Sequence, residues 1–132
     1  MNHKKIQPKD FTPTIGAYSH GTSFKIGDTK ILFTTGQIAM DNEGNVVSEY
    51  IEEQTEFIFS NLGKILQEEN MSFDDVIKVQ IFVQDMNDFS KISPIRNKYF
   101  SKSMPVSTLL EVNKFVKDGC KIEIEITATK KM

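Results

Sequence analysis

The chain has 132 residues, 39% of them hydrophobic, which suffices for one compact core and is too short for two ordinary domains, so a single domain over residues 1–132 is expected. Sixteen basic residues against eighteen acidic ones leave a formal charge of -2, with the lysines dispersed instead of forming a stripe, which weighs against nucleic acid as the main partner. The longest apolar runs, such as Ile31 to Phe33, are far below the roughly 20 residues of a membrane span, and Met-Asn-His-Lys-Lys leads into no apolar signal core, so an unexported, cytoplasmic protein without a membrane partner is expected.

Pro8, Pro13, Gly16 and Gly21 punctuate the first twenty or so residues and predict turning, extended backbone with at most short strands. Thr22–Ile26 and Lys30–Ala39 are β-branched and aromatic and read as strands joined through Gly27-Asp28, with a turn at Asn42-Glu43-Gly44. From Tyr50 to about Glu69, Ile51, Ile58, Leu62, Ile65 and Leu66 recur at helical spacing, and Glu49, Glu52 and Glu53 sit near the positive end of the helix dipole. Ser72 and Asp75 have the spacing of a capping box.

The period then changes. Ile77, Val79, Ile81 and Val83 alternate with more polar neighbours and predict a strand with one buried face. Asp88 could start the next helix, but Pro94 fits poorly in a helix interior. A helix capped by Ser93, with Pro94 in its first position and its end near Ser101, is the better reading. Pro105 precedes a strand over Val106–Val112, and Asp118-Gly119 marks a turn. In the last strand, Lys121–Lys130, Ile122, Ile124, Ile126 and Ala128 alternate with Glu123, Glu125, Thr127 and Thr129.

Five or six strands and two principal helices predict a two-layer α+β fold with the helices on one face of the sheet. The other face is left bare, with side chains such as Phe82 and Leu109 expected on it, and burial against further copies of the chain is the natural cover.

Few side chains carry recognisable chemistry. Glu123 and Glu125 share a strand face and could supply a general acid or base, or form only a solvated surface. Thr34-Thr35-Gly36-Gln37 could offer a hydroxyl and a close backbone N–H to a ligand, or be a simple bulge. The segment from Gly16 to Gly21 could wall a pocket with Tyr18, or form a surface turn. His20 has no identifiable partner, and Cys120 reads as packing. With only His3 besides, no zinc pattern forms and no metal is expected. Arg96 is the only arginine, hence the only rigid two-pronged donor for a carboxylate.

In chain order, Ile15-Gly16-Ala17-Tyr18-Ser19-His20-Gly21, Thr34-Thr35-Gly36-Gln37-Ile38, Val83-Gln84-Asp85-Met86-Asn87-Asp88-Phe89, Glu111-Val112 and Lys121-Ile122-Glu123-Ile124-Glu125 resemble the successive blocks of the RidA family, also called YjgF or L-PSP proteins. Each block is weak alone, and their order across nearly the whole chain is specific. The resemblance implies a chorismate-mutase-like mixed sheet assembled as a homotrimer, with clefts for a small metabolite between subunits. It also implies hydrolysis of 2-imino or enamine acids to 2-oxo acids and ammonia without a cofactor.

Carried over residue by residue, the resemblance makes Glu123 the water-positioning glutamate and Thr35 the hydroxyl near the ligand. Gly36 is the backbone beside it, and Tyr18 lines the cleft. The family pattern Pro-x-Arg-x-x-x-Glu-Val becomes Pro105-Val106-Ser107-Thr108-Leu109-Leu110-Glu111-Val112, so Ser107 stands where the carboxylate-binding arginine is expected. Leu109 replaces the usual cysteine and Ser93 the usual asparagine. A hydroxyl does not replace a guanidinium charge, so deaminase activity is expected to be weakened or altered in range. Arg96, three residues after Ser93 and on a similar helix face, is a candidate substitute, against the default of an exposed helix arginine. The alternatives are a non-catalytic metabolite-binding or regulatory module and, disfavoured by the charge, an endoribonuclease or translation inhibitor.

Overall fold

The computed structural model describes residues 2–132. Its strands are β1 (Lys4–Ile6), β2 (Gly21–Ile26), β3 (Thr29–Thr34), β4 (Val76–Val83), β5 (Val106–Glu111) and β6 (Ile122–Lys131), and its helices are α1 (Ile51–Gln67) and α2 (Phe89–Phe100). They form one six-stranded sheet in the order β1-β2-β3-β6-β4-β5. Neighbours are antiparallel except β4 and β5, which are parallel because α2 carries the chain back across the sheet. Among the described residues no helix is long and apolar enough to cross a membrane.

The hairpin between β2 and β3 closes at Gly27, whose φ of 60° suits a residue without Cβ, and pairs Ile26 with Thr29. Helix α1 turns Ile58, Phe59, Leu62, Ile65 and Leu66 inward, onto the face of the sheet that carries Leu32, Val79, Ile81, Ile122, Ile124 and Ile126. All eleven belong to one core, in which β6 is central because β3 and β4 flank it. Phe59 stacks on Tyr99 at 4.4 Å between ring centres and meets Phe100 edge-on, which seats α2 against α1. Gln54 is fully buried with its amide satisfied. It donates to the carbonyls of Ser48 and Gly119, both at 2.8 Å, and accepts from the Lys121 N–H at 2.9 Å, tying α1 to the start of β6.

The mixed α+β architecture, the number of strands and the capping box at Ser72 agree with the sequence. Four expectations need correction. β3 ends at Thr34 instead of Ala39, because the chain bulges before Gln37 re-pairs with Ile124. In β4 the register slips between Val76 and Lys78, so Val76 is buried and Ile77 is half exposed. A bulge inserts one unpaired residue and reverses the alternation on one side of it.

Helix α2 begins at Phe89 and holds Pro94 inside it, so Ser93 is not its cap. Asp85 accepts the Asn87 N–H at 2.9 Å and starts a 3-10 turn over Met86–Asp88, which delivers the chain already coiled. Pro94 then forfeits one hydrogen bond, to the Ser90 carbonyl in the first turn, while Ile92 and Phe100 anchor the helix in the core. Leu109, finally, pairs with buried Ile81 and packs on the helix side. Its neighbour Leu110, paired with Phe82 and half exposed, takes the open face together with Phe24 and Phe33.

Candidate functional site

The site grows out of the bulge. Phe33 pairs with Thr127 and Gln37 with Ile124, so β3 spans one residue more than β6 between the two pairs. Thr34 Oγ1 fills the gap by accepting the Ile126 N–H at 3.0 Å, and Gln37 resumes the ladder with both Ile124 backbone groups at 2.8 and 3.1 Å. Thr35 donates its N–H to the His20 carbonyl at 2.9 Å, which fastens the segment ending at Gly21 beside the bulge.

Glu123, on the open face of β6, folds its side chain over Gly36. A methyl group on Gly36 would lie 2.6 Å from Glu123 Cδ and 2.8 Å from Cγ, and nearer still to Oε2. Gly36 is therefore needed for space, since its φ is not in the left-handed region. Glu123 lines a cavity of about 310 Å³ together with Tyr18, His20, Thr35, Gly36 and Gln37. Burial raises its pKa above the ordinary carboxylate value, and the like charge of Glu125 on the same strand face adds to the rise. A larger hollow of about 930 Å³ on the open face shares Tyr18 and Thr35 and has no acidic lining residue.

His20 has partners that the sequence did not reveal. Its Nε2 lies 2.8 Å from the Thr12 carbonyl and its Nδ1 3.3 Å from Gln37 Nε2, and Phe11 packs against the ring. Assigning the ring proton to Nε2 lets His20 donate to Thr12 and accept from Gln37, so both contacts are satisfied. His20 thus braces Gln37 in the wall of the cavity.

The remaining sequence candidates gather elsewhere. Ser107 pairs with buried Val79 and projects to the helix side at the edge of the sheet. It lines a cavity of about 420 Å³ with Arg96, Phe100 and Met104. Arg96 Nη2 donates to Ser93 Oγ at 3.2 Å, so these two residues form a pair on α2. Met104 adopts a φ of 48°, unusual for a residue with a side chain, and its N–H bonds the Phe100 carbonyl at 3.0 Å to close α2 just before β5. Leu109 is absorbed into the core. Tyr18, Thr35, Gly36 and Glu123 therefore come together on one side of the sheet, and Ser93, Arg96 and Ser107 on the other. Among the described residues no three His, Cys, Asp or Glu side chains converge as a metal site.

Residues 10–130 match the family model described as Endoribonuclease L-PSP. A RutC family protein of Pyrococcus abyssi is 38% identical over 117 residues, covering 88% of each chain. The 2-iminobutanoate/2-iminopropanoate deaminase of Rattus norvegicus is 31% identical over 126 residues, covering 95% of this chain and 88% of its own. Among solved structures, E. coli TdcF with bound serine matches with a TM-score of 0.81 at 27% identity, covering 96% of this chain and 98% of that one. The chain belongs to the L-PSP family, which includes the RutC and RidA proteins and some imine deaminases.

Proposed function

We propose that the chain is a cofactor-independent deaminase that hydrolyses 2-imino and enamine acids to 2-oxo acids and ammonia, with a substrate range altered by Ser107. The carrying observation is the Glu123 carboxylate, folded over Gly36 in a cavity that also holds Tyr18 and Thr35. As water attacks the C=N carbon of the protonated imine, Glu123 takes a proton from the water while the C=N electron pair moves to nitrogen, giving a neutral carbinolamine. Glu123 then returns the proton to the amino group of the carbinolamine. The C–N bond breaks as Glu123 takes the hydroxyl proton, so the hydroxyl becomes the carbonyl, and that proton leaves with the ammonia as ammonium, which restores the carboxylate. A carboxylate with a raised pKa holds and releases that proton more readily near neutral pH than an ordinary one.

The cleft in this proposal lies between subunits of a cytoplasmic homotrimer. One chain cannot bring both halves to one small molecule, because Glu123 projects from the open face and Ser107 from the helix side. The half-exposed Leu110 and Phe33 on the open face supply apolar area for such contacts. The rat relative bears the name of this activity, and the serine bound to TdcF is itself an amino acid. A nuclease role gains no support from the cavity, whose lining contains Glu123 and neither lysine nor arginine to meet a phosphate.

The test is ammonia release from 2-iminobutanoate generated in situ by a threonine dehydratase, read against spontaneous hydrolysis. Wild type is expected to exceed that background, and Glu123→Gln to lose about 10²-fold or more of the enzymic rate. Wild-type turnover no faster than background would overturn the reading. Ser107 gives one competing reading its footing, a cleft that binds a metabolite without converting it; ligand binding that survives Glu123→Gln with no turnover in either protein would establish it.

A further inference from the structure

The geometry points to Arg96 as the carboxylate anchor of this chain, moved from β5 to α2; the inference rests on the deaminase reading for the substrate class, a 2-imino or 2-oxo acid. Ser107 faces α2 across a cavity of about 420 Å³ in which Arg96 is the only cationic lining residue and no acidic side chain appears. A small hydroxyl at position 107 leaves the cavity open to a charge arriving from the helix. Among the described residues Arg96 makes no ion pair. Its hydrogen bonds run from Nε to Asn97 Oδ1 and from Nη2 to Ser93 Oγ, both at 3.2 Å. These engage two of the five N–H groups a guanidinium carries, and the others remain available to a carboxylate.

The side chain is also held in place. Its guanidinium lies over the Phe89 ring at 5.6 Å, and Ser93 one turn earlier fixes one prong. A fixed fork loses less freedom on binding than a free surface arginine, and its charge is unspent within the chain. Ser93 is then a positioning residue, and Ser107 the residue whose small size admits the ligand.

Binding of 2-oxobutanoate by calorimetry and turnover of 2-iminobutanoate are measured on wild type, Arg96→Ala, Arg96→Lys and the double variant Arg96→Ala/Ser107→Arg, each with its melting temperature. Arg96→Ala is expected to weaken binding by about 30-fold or more. Arg96→Lys should recover part of the loss, and the double variant more, by returning the guanidinium to β5. Rescue by an arginine on a different element would not follow from a structural role. Turnover in wild type that is unchanged in Arg96→Ala overturns the anchor and leaves the deaminase reading standing. Binding of 2-oxobutanoate that is lost in Arg96→Ala, with no turnover in wild type, upholds the anchor and overturns the deaminase reading. Failure of wild type to bind 2-oxobutanoate at millimolar concentration overturns the anchor for this ligand class.

Discussion

Replacing Gly36 by alanine tests whether the cavity works through the placement of one carboxylate. The added methyl would lie 2.6 Å from Glu123 Cδ, whereas nonbonded carbons rest at about 3.5 Å or more, so the carboxyl must retreat by about 1 Å. The obstructing group is the end of a flexible side chain and the Gly36 φ is ordinary, so the stability cost should fall near the lower end of the ~1–3 kcal/mol typical of overpacking. Chemistry is far less forgiving, since a misplacement of about 1 Å can cost about 10²-fold in rate. Gly36→Ala should therefore keep a cooperative thermal transition within a few degrees of wild type while kcat/KM for 2-iminobutanoate falls about 100-fold. Full activity in Gly36→Ala would show that Glu123 does not act from the position it occupies over Gly36, and the reasoning would fail.

The raised Glu123 pKa has consequences for both activity and stability. Glu125→Gln removes the like charge, so the acid limb of the kcat/KM profile should move to lower pH; an unmoved limb would separate Glu123 from the rate. Because the folded state holds this proton more tightly than the unfolded chain, stability falls as pH rises from the ordinary carboxylate range through the raised value. Glu123→Gln should accordingly melt higher than wild type at pH 7 and together with it at pH 4. Gln54→Ala would remove the amide that joins the Ser48 and Gly119 carbonyls and the Lys121 N–H, three part-buried bonds, and should cost about 1–3 kcal/mol, read from the urea midpoint. Tyr99, partly buried and donating to Glu56 at 2.7 Å, has its pKa pushed up to about 12, so its ionisation in an absorbance titration should come well above pH 10, and the stability it contributes should be lost between about pH 10 and 12.

Sequence period was a good guide where an element packs on one face only. The alternation of β6 and the apolar stripe of α1 appear in the structure as read, because the core lies on one side of each. It failed where a single residue changes phase. Nothing in Val76-Ile77-Lys78 marks Ile77 as the extra residue, and only the pairing with Ala128 and Thr127 shows it. Pro94 misled for a related reason: a proline rule treats the helix alone, while Asp85 had already begun the coil two residues into the preceding loop. The Glu111-Val112 block, conspicuous in sequence, holds structure together, with Glu111 Oε1 accepting the Met86 N–H and the Val112 N–H reaching the Val83 carbonyl.

Of the candidate site, the half around Glu123 was legible because its residues are contributed by short blocks at a strand end and on a regular strand. His20 was not, since its partners lie 8 and 17 residues away and meet it only in the fold. Arg96 was legible as the sole arginine, but its position opposite Ser107 depends on α2 returning the chain parallel to β4, which no local pattern encodes.

That separation bears on how such a cleft can change what it binds. On the proposed reading, proton handling falls to Glu123 and the bulge around Gly36, built on β3 and β6, and recognition of the ligand's charged end to α2 and β5 on the far side of the sheet. The two halves share no lining residue, so a substitution at the second can redirect the ligand without disturbing Glu123. Energies of variants taken from different halves should then add in stability, where each chain folds with both halves apart. In kcat/KM they should couple, because both hold one substrate. A double variant of Gly36→Ala and Arg96→Ala that is additive in melting free energy and non-additive in kcat/KM is the pattern expected of a single cleft assembled from two copies of the chain; no loss of kcat/KM from Arg96→Ala in either background would place Arg96 outside it.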